Sequence, residues 1–238
     1  MTLDQTTILD SVEARRPVPG VYKVYKRQQA AVSRRDLYPV TVFYACYSII
    51  LLTLGLRTAH PYLAIGFYLA GLPVWTFCEY IAHRYALHFS YFRTSKKLYK
   101  RLILKYLSRF HWEHHLRPCD GKHINGELQD LLPLFAVTAP LSFLFPLFTM
   151  PMLLAGVTQA YVIEEWIHHS VHFYNFRGRY FKYIKKHHFY HHTSPGQTMG
   201  YGLTNGFWDR VFKTSYPEHV RERLYGRKTV SARHRVVT

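Results

Sequence analysis

Leu37 to Leu56 runs for 20 residues without a charged side chain, and Pro61 to Cys78 is apolar again after the short turn Arg57–His60. An α-helix rises about 1.5 Å per residue and the hydrocarbon core of a bilayer is about 30 Å thick, so the first run is long enough to cross it. The turn leaves room for little but a helical hairpin. Leu131 to Ile163 is a further apolar stretch of 33 residues. It is short for two full spans but forms a second hairpin if residues 127–130 and 164–167 extend its ends, with Pro146 and Pro151 at the bend. The pattern predicts an all-α integral membrane protein of about four transmembrane helices in two hairpins.

Charge supplies the orientation. Lysine and arginine number 31 against 14 acidic residues, a formal net charge of +17. If both hairpins dip into the bilayer and return, all the basic residues except Arg57 fall on one side, and so do all the histidines except His60. The positive-inside rule makes that side cytoplasmic, with both termini on it. Nucleic-acid binding would also suit so basic a chain but leaves the apolar runs without a purpose. The boundaries read as a cytoplasmic arm over 1–36, a membrane-embedded domain over 37–214 and a basic tail over 215–238. Cys46, Cys78 and Cys119 form no C-x-x-C pair, which argues against a thiolate metal site or a disulfide scaffold. Residues 1–36 contain no continuous apolar core of the kind a cleaved signal peptide has.

Ten histidines gather in four groups beside the apolar runs: His83 and His88; His111, His114 and His115; His168 and His172; His188, His191 and His192. Residues three or four apart share a face of a helix, so each triplet and the 168/172 pair point one way. His83 and His88 are five apart and would diverge on a regular helix, so the helix is expected to end or distort between them. Neutral imidazole binds iron, zinc, copper and nickel, and one ion takes roughly four to six ligands, so ten histidines suit two metals. Glu79, Glu113, Glu164, Glu165 and His187 lie close enough in sequence to orient those ligands by hydrogen bonds. The paired Glu-x-x-His pattern of carboxylate-bridged di-iron bundles is missing, so the ligand set reads as all-histidine, in a helical cap on the cytoplasmic face. His219 and His234 fall in the basic tail and read as solvated.

Glu79-Tyr80-Ile81-Ala82-His83-Arg84 with Leu87-His88, then His111-Trp112-Glu113-His114-His115, His168-His169-Ser170-Val171-His172 and His188-Phe189-Tyr190-His191-His192, resemble in order and spacing the motifs of the fatty acid hydroxylase superfamily, the sterol desaturase/hydroxylase-type membrane di-iron enzymes. Gly200-Tyr201-Gly202-Leu203-Thr204 and Phe207-Trp208-Asp209-Arg210-Val211-Phe212 are similar to the family's ending, and the resemblance covers about residues 70 to 214. The four residues between His83 and His88 match the fatty acid 2-hydroxylase branch, where sterol desaturases typically have three. The resemblance implies an oxidoreductase that uses O2 and two metal ions, functionally iron although purified samples can carry zinc, to hydroxylate a lipid, at the 2-position of a fatty acyl chain in this branch. It implies further that the ten clustered histidines are the ligands. Eukaryotic members usually carry a fused cytochrome b5 domain. Only 36 residues precede the first run here, so electrons are expected from a separate carrier, a cytochrome b5-type protein or a ferredoxin, in a bacterial inner membrane or the endoplasmic reticulum. The rivals are a desaturase, methyl oxidase or alkylglycerol monooxygenase of the same superfamily, and a membrane metal transporter, which would want ionisable residues inside the spans.

Overall fold

The computed structural model describes residues 19–88, 96–103 and 107–226; the first 18 residues of the expected arm, and the tail beyond 226 with His234, lie outside the described residues. The described residues are helical and contain no strand. Helix α1 (Pro19–Gly55) passes without a break from the basic arm into the first apolar run, carrying Pro39 inside it. The boundary expected at residue 36 is therefore no break in the described structure, and residues 19–36 stand on the same rod as the span. Proline opens α2 (Pro61–Ala82), where its missing N–H costs nothing. Short helices α3 (Leu98–Ile103) and α4 (Arg109–Leu116) follow. The second apolar stretch forms α5 (Leu128–Ser142), started by a capping box between Glu127 and Asp130, and α6 (Met150–Phe173). Pro146 falls in the turn between them and Pro151 in the first turn of α6. Helices α7 (Arg179–His191), α8 (Phe207–Val211) and α9 (Glu218–Tyr225) complete the chain.

Helix α6 is the centre of the fold and packs along both α1 and α2. Val40 and Tyr44 of α1 meet Tyr161 and Val162 in one buried cluster, and Leu51 and Ala64 meet Met152 and Ala155 in another. The α2–α6 crossing is closest at Gly71 and Gly156. A Cβ on Gly71 would strike the backbone from Leu153 to Val157, and one on Gly156 the Tyr68 carbonyl. Small residues at a helix crossing let backbones touch, the usual device where lipid leaves no hydrophobic drive between helices.

Among the described residues two helices are long and apolar enough to cross a membrane, Gly20–Gly55 and Pro61–Leu87. Only 28% and 11% of their most apolar windows are buried, so their greasy surface faces outward, the reverse of the core helix of a water-soluble protein. The second hairpin is shorter. Helix α5 has 15 residues, about 22 Å of rise, and the last turns of α6 carry Glu164, Glu165 and histidines rather than apolar side chains. His60, in the turn at the far end of the first hairpin, packs on Phe148 at the bend of the second.

Candidate metal centre

The ten grouped histidines meet in one place. Helix α2 ends in a π turn, His83–Leu87, in which the His88 N–H bonds the His83 carbonyl at 3.1 Å. A π turn pairs residues i and i+5, so it brings together two side chains that an α-helix would splay. This is the distortion the spacing calls for, and the two rings lie 5.0 Å apart.

The triplets face the interior but divide. His83, His88, His111, His115 and His191 form one cluster, and His114, His172, His188 and His192 another, the ligand nitrogens within each lying within 4.8 Å of one another. His168 joins the second, its Nε2 lying 3.1 Å from that of His114 and 3.2 Å from those of His172 and His188. Helix α4 thus sends an i, i+4 pair to the first cluster and its middle histidine to the second. Helix α7 does the opposite, sending His188 and His192 to the second cluster and His191 to the first. Each triplet, expected to point one way, thus spreads over two neighbouring clusters. Residues i+3 and i+4 fall on opposite sides of residue i, about 100° apart around the helix.

In the first cluster His111 Nε2 lies 3.1 Å from His83 Nε2 and 3.0 Å from those of His88 and His115, and His88 Nε2 lies 2.8 Å from that of His191. These cannot all be hydrogen bonds, because a neutral imidazole has one N–H. His83 and His191 use Nδ1 toward the carbonyls of Tyr201 and Met199, so their Nε2 lone pairs point inward. Nitrogen lone pairs converging at about 3 Å suit a shared cation, since imidazole nitrogens typically bind such an ion at about 2.0–2.1 Å. The donor set therefore fits a metal ion in each cluster. Burial disfavours the charged rings. It pushes His111, His114 and His188 well below the usual imidazole range, and His88 down to about 3 and His191 to about 4. Neutral rings are the ligating form.

The carboxylates are placed elsewhere. Among the described residues none of Glu79, Glu113, Glu164, Glu165 or His187 hydrogen-bonds a clustered histidine. Glu113 pairs with Arg117 at 2.7 Å near the surface. Glu164 is buried near Trp75, and Glu165 faces the Gly126 N–H at 3.5 Å. His187 Nδ1 meets the Tyr225 hydroxyl at 2.8 Å. Backbone carbonyls orient His83 and His191 instead, and two buried carboxylates fix the loop that presents them. Asp209 accepts from the Tyr201 and Gly202 N–H groups and the Thr214 hydroxyl at 2.8–3.0 Å. Glu79 accepts from the Leu203 N–H and the Thr204 hydroxyl. Gly200 turns that loop at φ +66°, a conformation that favours glycine. Asp209 and the two carbonyls escape a reading based on the histidines. The signal for them is the glycine-rich Gly200–Gly202 turn and the acid that follows it. His123 bonds Asp120, and His169 is tied to Ser33 of α1 at 2.7 Å, both outside the clusters.

An all-helical protein with outward-facing apolar helices and a buried, all-imidazole double cluster is the class that fold and site define. The family model for fatty acid hydroxylase matches residues 68–214, and the chain belongs to that family. It is similar to a dihydroceramide fatty acyl 2-hydroxylase of Arabidopsis thaliana, 32% identical over 60% of this chain and 58% of that protein. It is also similar to the fatty acid 2-hydroxylase of Rattus norvegicus, 29% identical over 67% of this chain and 42% of that one. The ceramide very long chain fatty acid hydroxylase scs7 of Schizosaccharomyces pombe is 28% identical over 65% and 43%. The chain thus spans roughly half the length of these relatives. A solved structure of full-length scs7p, in which only the hydroxylase domain is visible, shares the fold with a TM-score of 0.66 at 24% identity, covering 76% of this chain and 67% of that one.

Proposed function

We propose that the protein is a membrane lipid hydroxylase that introduces a hydroxyl at the 2-position of a fatty acyl chain. The observation that carries the reading is the pair of five-imidazole clusters, in a family whose matched relatives are named for that reaction. The ten histidines would hold two metal ions, iron in function. When bound, these supply reduction of O2 to a species able to hydroxylate an unactivated carbon, with electrons from a separate carrier. The chain's own residues hold the site neutral and dry, and the Met199 and Tyr201 carbonyls fix the imidazole tautomers at the first cluster. Both hairpins enter the bilayer, as about four transmembrane helices, from the side bearing all but one of the lysines and arginines, which the positive-inside rule makes cytoplasmic.

The test is metal counting and product analysis on the purified protein. The reading expects two metals per chain and, given O2 and a reductant, 2-hydroxy acyl chains by mass spectrometry. A product with a double bond, or a hydroxyl at another carbon, would replace 2-hydroxylation with another chemistry of the family.

A further inference from the structure

The cytoplasmic half of α1 carries a stripe of cations, of which Arg34, nearest the apolar run, donates to the Tyr174 hydroxyl at 2.8 Å. Lys23, Lys26, Arg27 and Arg34 line a cavity of about 400 Å³ whose floor is Ala30, Phe173 and Tyr174. Lys185 joins them from α7, its ammonium donating to the Tyr174 carbonyl at 2.7 Å, and burial together with Lys26 pushes it down to about 8. Among the described residues no carboxylate pairs with Lys23, Lys26 or Arg27. Like charges one turn apart weaken a helix, so the stripe is kept against the chain's own stability.

Height above the bilayer says what the stripe faces. Lys23 precedes Leu37, where the apolar run begins, by 14 positions on the same helix. That places it about 20 Å along the axis from the hydrocarbon edge, whereas the headgroup layer is only about 5–8 Å deep. The upper cations are out of reach of lipid phosphates and address the aqueous phase. The patch also lies over the second cluster. The ammonium of Lys185 is 5.4 Å above the Phe189 ring, and that ring packs on His172 at 5.3 Å. His169, bonded to Ser33 of α1, packs on Phe173 at 5.0 Å.

We propose that Lys23, Lys26, Arg27 and Lys185 form the docking surface for a soluble, acidic one-electron redox protein, which delivers electrons toward the second cluster through Phe189 and His172. This rests on the hydroxylase reading. Hydroxylation consumes one O2, two electrons and two protons per C–H bond, and one oxygen atom leaves as water. The carrier is therefore oxidised by one electron at each of two visits. An acidic face meets the cationic rim, and its own apolar contact finds the Phe173 and Tyr174 floor.

The test compares the full-length protein with Lys26→Glu/Arg27→Glu, using a soluble cytochrome b5 haem domain and a plant-type ferredoxin as carriers. The variant is expected to raise the KM for the effective carrier by about tenfold or more and to flatten its dependence on salt. Single-turnover product after anaerobic reduction with dithionite and admission of O2 should be unchanged, as should metal content. Equal carrier affinity in the two proteins, measured by direct titration, overturns the docking surface whether or not product forms. A defect that follows the anionic-lipid content of nanodiscs at constant carrier affinity also overturns it, in favour of a lipid contact. Absence of product from the wild type in single turnover removes the hydroxylase reading instead, and titration alone then decides the docking.

Discussion

His114 and His115 are neighbours in the chain and belong to different clusters: His115 Nε2 lies 3.0 Å from His111 Nε2, and His114 Nε2 lies 3.1 Å from His168 Nε2. One short helix thus reaches both clusters, and α7 does the same with His188 and His191.

Separable metal loss follows. His114→Ala is expected to lower metal content from two ions per chain to about one, by weakening the second cluster alone, and His115→Ala to do the same at the first. Inductively coupled plasma mass spectrometry on the purified variants reads this directly. Unchanged metal content in His114→Ala would remove the second cluster as a binding site.

Asp209→Ala should loosen the first cluster without touching it. The carboxylate holds the Tyr201 and Gly202 N–H groups, and Tyr201 in turn presents its carbonyl to His83. Loss of an orienting partner typically costs about 10–100-fold in metal affinity. Chelator competition should show that loss for one of the two ions. A uniform loss at both would indicate general unfolding.

Acid should destabilise the metal-free protein. His88 and His191 titrate in the fold near 3 and 4, below the ordinary 6.5, so the unfolded chain binds more protons wherever the pH is under about 6.5. Stability therefore falls as pH drops through 6.5 and continues to fall toward the lower values, while these groups contribute no dependence above about 7.5. Thermal unfolding of chelator-stripped protein at pH 7.5, 6 and 5 should give a decreasing series. A flat series would mean that the imidazoles are not buried as described.

Glycines of the two crossing helices offer a contrast, Gly156 in α6 at the crossing and Gly66 in α2 away from it. Gly156→Leu would drive a side chain into the Tyr68 carbonyl and should cost about 1–3 kcal/mol. Gly66→Ala, where an added Cβ meets nothing within 4 Å, should be neutral or stabilising by up to about 1 kcal/mol. Melting temperatures of the two variants in one detergent measure the difference.

How much of this was legible in the sequence depends on which atoms do the work. Apolar runs with short breaks announce the first hairpin, and histidines at three- and four-residue spacing announce a metal centre, because both are side-chain patterns. The split of each triplet was not legible as such, because periodicity says which face a residue occupies but not which neighbour stands opposite it. The carbonyls of Met199 and Tyr201 have no residue signature at all, since any amino acid can supply one. Residues 1–36 read as a cytoplasmic arm on charge, with no role assigned to residues 19–36. Their role emerges only from contacts such as Ser33 with His169 and Gln29 with the Gly121 N–H at 2.9 Å, across long stretches of chain.

The π turn at His83–Leu87 also acts as a length standard. A residue gained or lost in an α-helix rotates everything after it by about 100°. Here the surplus residue is absorbed as a wider coil, so that His88 returns over His83. Shortening this segment by one position would leave every histidine in place by composition, yet turn His88 away from its four partners.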